Sequence, residues 1–234
     1  MIWMSGVTND EIEPRLIDAG IGLMTSQNIA YSPERVARFP HVGLDNGCFT
    51  AGDKWDETKW INYLARQTRA NVRFAVSPDV YCDSVASLER GMEYAPILAD
   101  MGLPVGLVAQ GTDPNLAYPW SEFHCLFLGG RQLKDPRAEW KESQACAKLV
   151  AEARRHGLWV HMGRVNDQYR YAHAERIGCH SADGSMLAFG PDANIGRVVR
   201  MVRRRDTAPP LPFKRFESPS HPAHKEALRE GAPE

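Results

Sequence analysis

Long apolar runs are missing from this chain of 234 residues. Nowhere do 18 apolar residues stand together, so no membrane-spanning helix is expected. An excess of charge of one sign is missing too. The 28 Lys and Arg residues meet 29 Asp and Glu, a net charge of −1, so a nucleic-acid surface would have to be built from local basic clusters. Cysteine is scarce and odd in number: five, at 48, 82, 125, 146 and 179, with no C-x-x-C pair. That argues against a disulfide framework and against a structural zinc site, and no metal or other cofactor is expected. No G-x-G-x-x-G follows a first strand, which removes the usual mark of a dinucleotide fold. The opening Met-Ile-Trp-Met-Ser-Gly has no basic stretch leading into a long apolar one, so no secretory leader is expected and the expected location is cytoplasmic.

What is present is a rhythm. Short apolar runs alternate with longer amphipathic ones, the pattern of a parallel α/β protein. Strands are expected near 21–26, 42–45, 72–77, 105–109, 124–128, 158–162 and 179–182. Residues 186–189 and residues 2–4 compete as an eighth. Helices are expected over 56–70, opened by Asp56, over 83–101, capped by Asp83 and stopped at Gly102, and over 136–156, 166–177 and 194–205. In the third, Cys146, Leu149, Val150 and Ala153 share one face. Seven or eight such units within about 205 residues point to a compact (β/α)8 TIM-like barrel, with an open doubly wound sheet as the alternative. Residues 1–205 read as this one domain, and 206–234, Pro-rich and polar, as a flexible tail.

The ends of the strands are where this chain becomes specific. Val42-Gly-Leu runs into Asp45-Asn-Gly47-Cys-Phe49. Val72 to Val76 runs into Ser77-Pro-Asp79, and Val105 to Val108 into Ala-Gln110-Gly111. Leu128 is followed by Gly129-Gly130, and Gly178-Cys-His-Ser-Ala leads to Asp183-Gly184. Each alone also reads as a strand-ending turn. Together they place carboxylates and an amide on one rim of a barrel, where such folds assemble sites. Cys48, Cys82 and Cys179 read as small buried residues. His161 reads either as a site-lining group or as a satisfied core histidine.

In this order the motifs resemble those of the tRNA-guanine transglycosylase superfamily, and most of all its compact DpdA-like branch, associated with 7-deazaguanine modification of phage and bacterial DNA. The resemblance spans roughly residues 20–195. It implies a pentosyltransferase that exchanges guanine for a 7-deazaguanine base such as preQ0 through a covalent aspartyl–sugar intermediate. Asp183 would be the nucleophile and Asp45 the general acid/base. Asp79 would read the donor edge of the base, Gln110 and the backbone of Gly129 and Gly130 would address O6 and the 7-position, and Phe49 or Tyr81 would stack on it. The basic residues Arg131, Lys134, Arg164 and Arg170, which follow the later strands, would meet phosphates.

Asn46 and Cys48 depart from the first motif. His180 stands where the family often has an aspartate, and its role is open. The zinc segment of the tRNA enzymes has no counterpart here, which turns the expected partner from tRNA toward DNA. A queuine- or preQ1-type tRNA-ribosyltransferase and a catalytically silent, nucleic-acid-binding partner subunit remain as alternatives, beside a carboxylate-dependent nucleoside or glycoside hydrolase. Oligomeric state is not legible.

Overall fold

A computed structural model describes residues 1–29, 31–67, 71–111, 113, 116–130 and 139–203. Eight parallel strands close into a barrel in chain order: β1 (Ile2–Ser5), β2 (Gly22–Ser26), β3 (Val42–Asp45), β4 (Val72–Val76), β5 (Val105–Ala109), β6 (Cys125–Leu128), β7 (Trp159–Met162) and β8 (Ser181–Gly184). Closure is made by β1 against β8, with Met4 opposite Asp183. The eighth strand is therefore the opening segment of the sequence. Residues 186–189 form a turn, because Gly184 ends β8 and the chain must swing out to the last helix.

The helices are α1 (Glu13–Asp18), α2 (Pro33–Ala37), α3 (Cys48–Ala51), α4 (Glu57–Ala65), α5 (Ser84–Asp100), α6 (Gln144–Arg155), α7 (Gln168–Ile177) and α8 (Pro191–Arg203). The expected caps form: Asp56 accepts the amide of Lys59 at 2.8 Å, and Asp83 that of Ala86 at 2.9 Å. The helix expected over 136–156 starts late. Ser143 caps it by accepting from Cys146 at 3.1 Å, and the preceding Trp140–Glu142 is a separate 3-10 turn. Among the described residues no α-helix joins β5 to β6. A 3-10 turn, Trp120–Glu122, fills that side with the buried Trp120 and Phe123. The tail, 206–234, lies outside the described residues.

Strand alternation sorts the side chains into two cores. Met4, Met24, Phe74, Val76, Val108 and Cys125 fill the barrel. Trp3, Leu44, Trp60, Leu107, Val160 and Ile195 pack outward between sheet and helices. Gly43 faces inward because nothing larger fits: a Cβ there would lie 2.5 Å from Met24 Sδ and 2.8 Å from the Phe74 ring. The same alternation turns Asp45, His161 and Asp183 inward, at the ends of their strands.

Candidate active site

One cavity of about 130 Å³ opens at the C-terminal end of the barrel. Asp45, Asp79, Gln110 and Asp183 all line it, with Gly129, Gly130, Phe49 and Tyr81. Asp45 ends β3, Asp79 follows β4, Gln110 follows β5 and Asp183 sits in β8. Four strands thus deliver the polar groups that the sequence placed at strand ends.

The three carboxylates are not alike. Asp45 is pushed up to about 7 by burial, then by the neighbouring charges of Asp183 and Asp79, against a pull from the backbone amides of Asn46 and Gly47. It therefore exchanges a proton near neutral pH. Burial also raises Asp79, but hydrogen bonds from Asn46 and Gln110 oppose it. Asn46 Nδ2 donates to Asp79 Oδ1 and to the Ser77 carbonyl, both at 2.8 Å, while Asn46 Oδ1 accepts from the Cys48 amide at 2.8 Å. Gln110 Nε2 donates to Asp79 Oδ2, and Gln110 Oε1 accepts from Cys82 N at 3.4 Å. Gln110, expected to address the base, spends its amide on orienting Asp79. Asn46 shares that task, although its side chain had read only as a departure from a motif.

Asp183 is held differently. Its Oδ1 pairs with His161 Nε2 at 3.0 Å, and His161 Nδ1 meets Ser181 Oγ at 2.8 Å. Trp159 Nε1 donates to the same Ser181 oxygen at 2.8 Å. A carboxylate oxygen accepts, so His161 presents Nε2–H to Asp183, and in the neutral ring Nδ1 then accepts the Ser181 hydroxyl, whose oxygen also takes the indole N–H. His161 is fully buried between the rings of Phe127 (centroids 4.8 Å apart) and Phe74 (4.9 Å). It is a core histidine that orients a site residue, so the two readings of His161 meet in one side chain. Asp183 Oδ2 has no hydrogen-bond partner among the described residues.

Lys141 is the residue the sequence concealed. The 3-10 turn Trp140–Glu142 straps across the ends of β6 and β7: Trp140 Nε1 donates to the Gly129 carbonyl at 3.2 Å, and Lys141 Nζ to the Gly163 carbonyl at 2.9 Å. Lys141 is 3% exposed and lines the cavity. Burial lowers its pKa, Glu139 and Asp183 raise it, and Arg170 and Arg164 lower it further. Gly130 accommodates the strap with φ +89°, and a Cβ there would lie 2.7 Å from Trp140 Nε1.

At the rim, Phe49 is 58% exposed and Tyr81 44%. Their ring centroids lie 5.1 Å apart, and the Arg164 guanidinium sits 4.0 Å from the Phe49 centroid. Arg164 lines the cavity from a left-handed backbone, φ +62°.

Other expectations are corrected. Arg170 is turned inward: its side chain is 15% exposed and lies 3.6–3.8 Å from the buried carboxylates of Glu139 and Glu142 and from the more exposed Asp167, so carboxylates rather than phosphates engage it. Arg131 and Lys134 lie outside the described residues. Cys82 is exposed, in a left-handed turn with φ +60°, and Cys48 is half-buried; of the three, Cys179 alone is buried. His180 precedes β8 at the opposite end of the barrel, where its ring stacks on Trp159 and its Nδ1 accepts the Val160 amide at 2.9 Å.

Many solved structures are similar to this chain, among them two enzymes. Tryptophan synthase from M. tuberculosis, in an aminoacrylate- and BRD0059-bound form, covers 86% of this chain and 88% of its own, at 11% identity and a TM-score of 0.53. The chain is a (β/α)8 barrel. A native KDPGal structure covers 98% of this barrel and 94% of its own chain, at 15% identity and a TM-score of 0.48. Identity this low marks a shared fold and carries no chemistry from one chain to another. No protein-family model matches the barrel, and no curated protein matches it.

Proposed function

We propose that this barrel is a nucleic-acid guanine transglycosylase that exchanges guanine for a 7-deazaguanine base such as preQ0, in DNA rather than tRNA. The observation that supports this most is the set of three differently tuned carboxylates on one cavity: Asp45 poised near neutrality, Asp183 oriented by His161, and Asp79 fixed by two amides.

Each carboxylate then has a task. Asp79 presents acceptor oxygens to the N1–H and N2–H₂ donors of guanine. Asp183 attacks C1′ of the target nucleotide, forming the C1′–O bond as C1′–N9 breaks, and the electron pair leaves with the base. Asp45 in its acid form gives that base a proton. In the second half, Asp45 as carboxylate takes the N9 proton of the incoming base. The new N9 attacks C1′ and expels Asp183. Proton and bond counts return to their start, and the backbone is never cut. A group near neutrality serves both halves, since it must be an acid in one and a base in the other. The target base leaves its stack to reach the cavity, which costs a few kcal/mol, and the exposed Phe49 and Tyr81 rings are available to receive it.

The test is incorporation of labelled guanine and preQ0 into DNA and into tRNA, read by nucleoside mass spectrometry, with denaturing gels to trap the adduct. Wild type should exchange and form an adduct, and Asp183→Asn should do neither, because an amide is a poor nucleophile. Full exchange by Asp183→Asn would remove the nucleophile. Tight nucleic-acid binding by wild type without exchange would instead select the silent partner subunit.

A further inference from the structure

The cavity is electrically divided. Asp45 and Asp79 stand on the β3–β4 side, Lys141 and Arg164 on the β6–β7 side, and Asp183 from β8 lies between. Lys141 carries three N–H groups when protonated, and Gly163 O is its one hydrogen-bond acceptor among the described residues. A side chain 97% buried on a cavity wall, with donors to spare, calls for an acceptor supplied by a ligand.

A planar base with donors on one edge and acceptors on the other fits that division. If its donor edge meets Asp79, its acceptor edge faces the strap that carries Lys141, beside Gly129 and Gly130. On a 7-deazaguanine this is the edge bearing O6 and the 7-substituent.

Resting on the transglycosylase reading, we propose that Lys141 is a specificity-determining residue that selects incoming bases by the charge of their 7-substituent. A neutral acceptor such as a nitrile receives a hydrogen bond from Nζ. A 7-aminomethyl group, protonated at neutral pH, brings a second cation into a buried wall already holding Lys141 and Arg164, and like charges so placed cost several kcal/mol. Glu139 favours the charge on Lys141 itself, but it lies outside the cavity lining and offers the 7-substituent no acceptor. Asp183 does not either, because that carboxylate is engaged with the sugar. The turn Trp140–Glu142 thus chooses the base, while Asp79 confirms that it is a guanine.

Labelled guanine, 7-cyano-7-deazaguanine and 7-aminomethyl-7-deazaguanine, offered to the full chain with DNA and in parallel with tRNA, test this. Wild type should use the cyano base with a kcat/KM about 100-fold above that of the aminomethyl base. Lys141→Met and Lys141→Gln, checked for folding by circular dichroism, should narrow the ratio at least ~10-fold, while Lys141→Arg should keep it. Equal use of the two bases by wild type, with guanine still exchanged, overturns the role of Lys141 alone and needs no variant to be seen. A ratio unchanged in folded Lys141→Met does the same. Wild type that exchanges no labelled guanine on either nucleic acid removes the transglycosylase reading, and this selection with it.

Discussion

The two ends of the barrel hold different ionisable groups and leave them in opposite states. At the N-terminal end, Arg73 Nε donates to His41 Nδ1 at 3.0 Å, its guanidinium lies 5.8 Å from the Trp159 ring, and His180 stacks on that same ring. Desolvation lowers the pKa of both histidines, which favours their neutral forms. At the C-terminal end, three carboxylates share one cavity and one is driven to about 7. The first end settles its polar groups in pairs, whereas the second keeps charges that repel. Unrelieved repulsion of this kind is expected where a protein trades stability for reactivity.

Asp45→Asn should separate the two ends most sharply. Turnover should fall ~10²–10⁴-fold as the general acid/base is lost. Stability should move the other way, and the sign follows from linkage. Burial pushes folded Asp45 up to about 7 from the ordinary 3.8, so between those values the native state holds a proton that the unfolded chain has released. Stability therefore declines as pH rises between those values, and the full penalty stands above 7. Asparagine removes it, so melting should rise by roughly 5 °C at pH 8 and by nothing near pH 4. Equal melting of both proteins at pH 8 would show that the cavity stores no such strain.

Ser181→Ala comes next, because it cuts the line joining the two ends. With Nδ1 of His161 left unsatisfied, the imidazole loses its assigned tautomer. Exchange should drop ~10–100-fold in kcat with KM nearly unchanged, since Asp183 is misaimed rather than removed. The ¹⁵N shifts of His161 should show the protonated nitrogen moving from Nε2 in wild type to a mixture in the variant. If wild type already carries its proton on Nδ1, the orienting role is wrong. Arg73→Gln should do least: at most ~1 kcal/mol of stability, from a cation over an aromatic face, and no change in exchange. A large loss of activity would mean that the ends are coupled through more than Ser181.

The sequence made some of this plain and hid the rest for identifiable reasons. Strands with apolar runs of four or five residues could be placed, and so could helices opened by Asp56 and Asp83, because periodicity and caps are local signals. α1, α2 and α3 have six, five and four residues, too short to show a period. β1 is four residues, and its pairing with β2 and β8 distinguishes it from residues 186–189. Asp45, Asp79, Gln110 and Asp183 were legible as strand-end residues. Lys141 was not, because it falls inside a stretch with a good amphipathic pattern, where a lysine reads as the solvated face. Ser143, the true cap of α6, was the available signal. Asn46 and Ser181 act through partners far away in sequence, and no local pattern announces such a bond.

The pairing of Met4 with Asp183 has a kinetic consequence. The strand that carries Asp183 takes its place against a strand almost the whole domain away along the chain. Joining them closes the longest loop of any strand pairing among the described residues, and contacts of such separation form late. The seven neighbouring pairings can all exist while the ring is still open. An open ring has no fixed Asp183, so the proposed chemistry would wait on the last event of folding, and a half-made barrel would be silent.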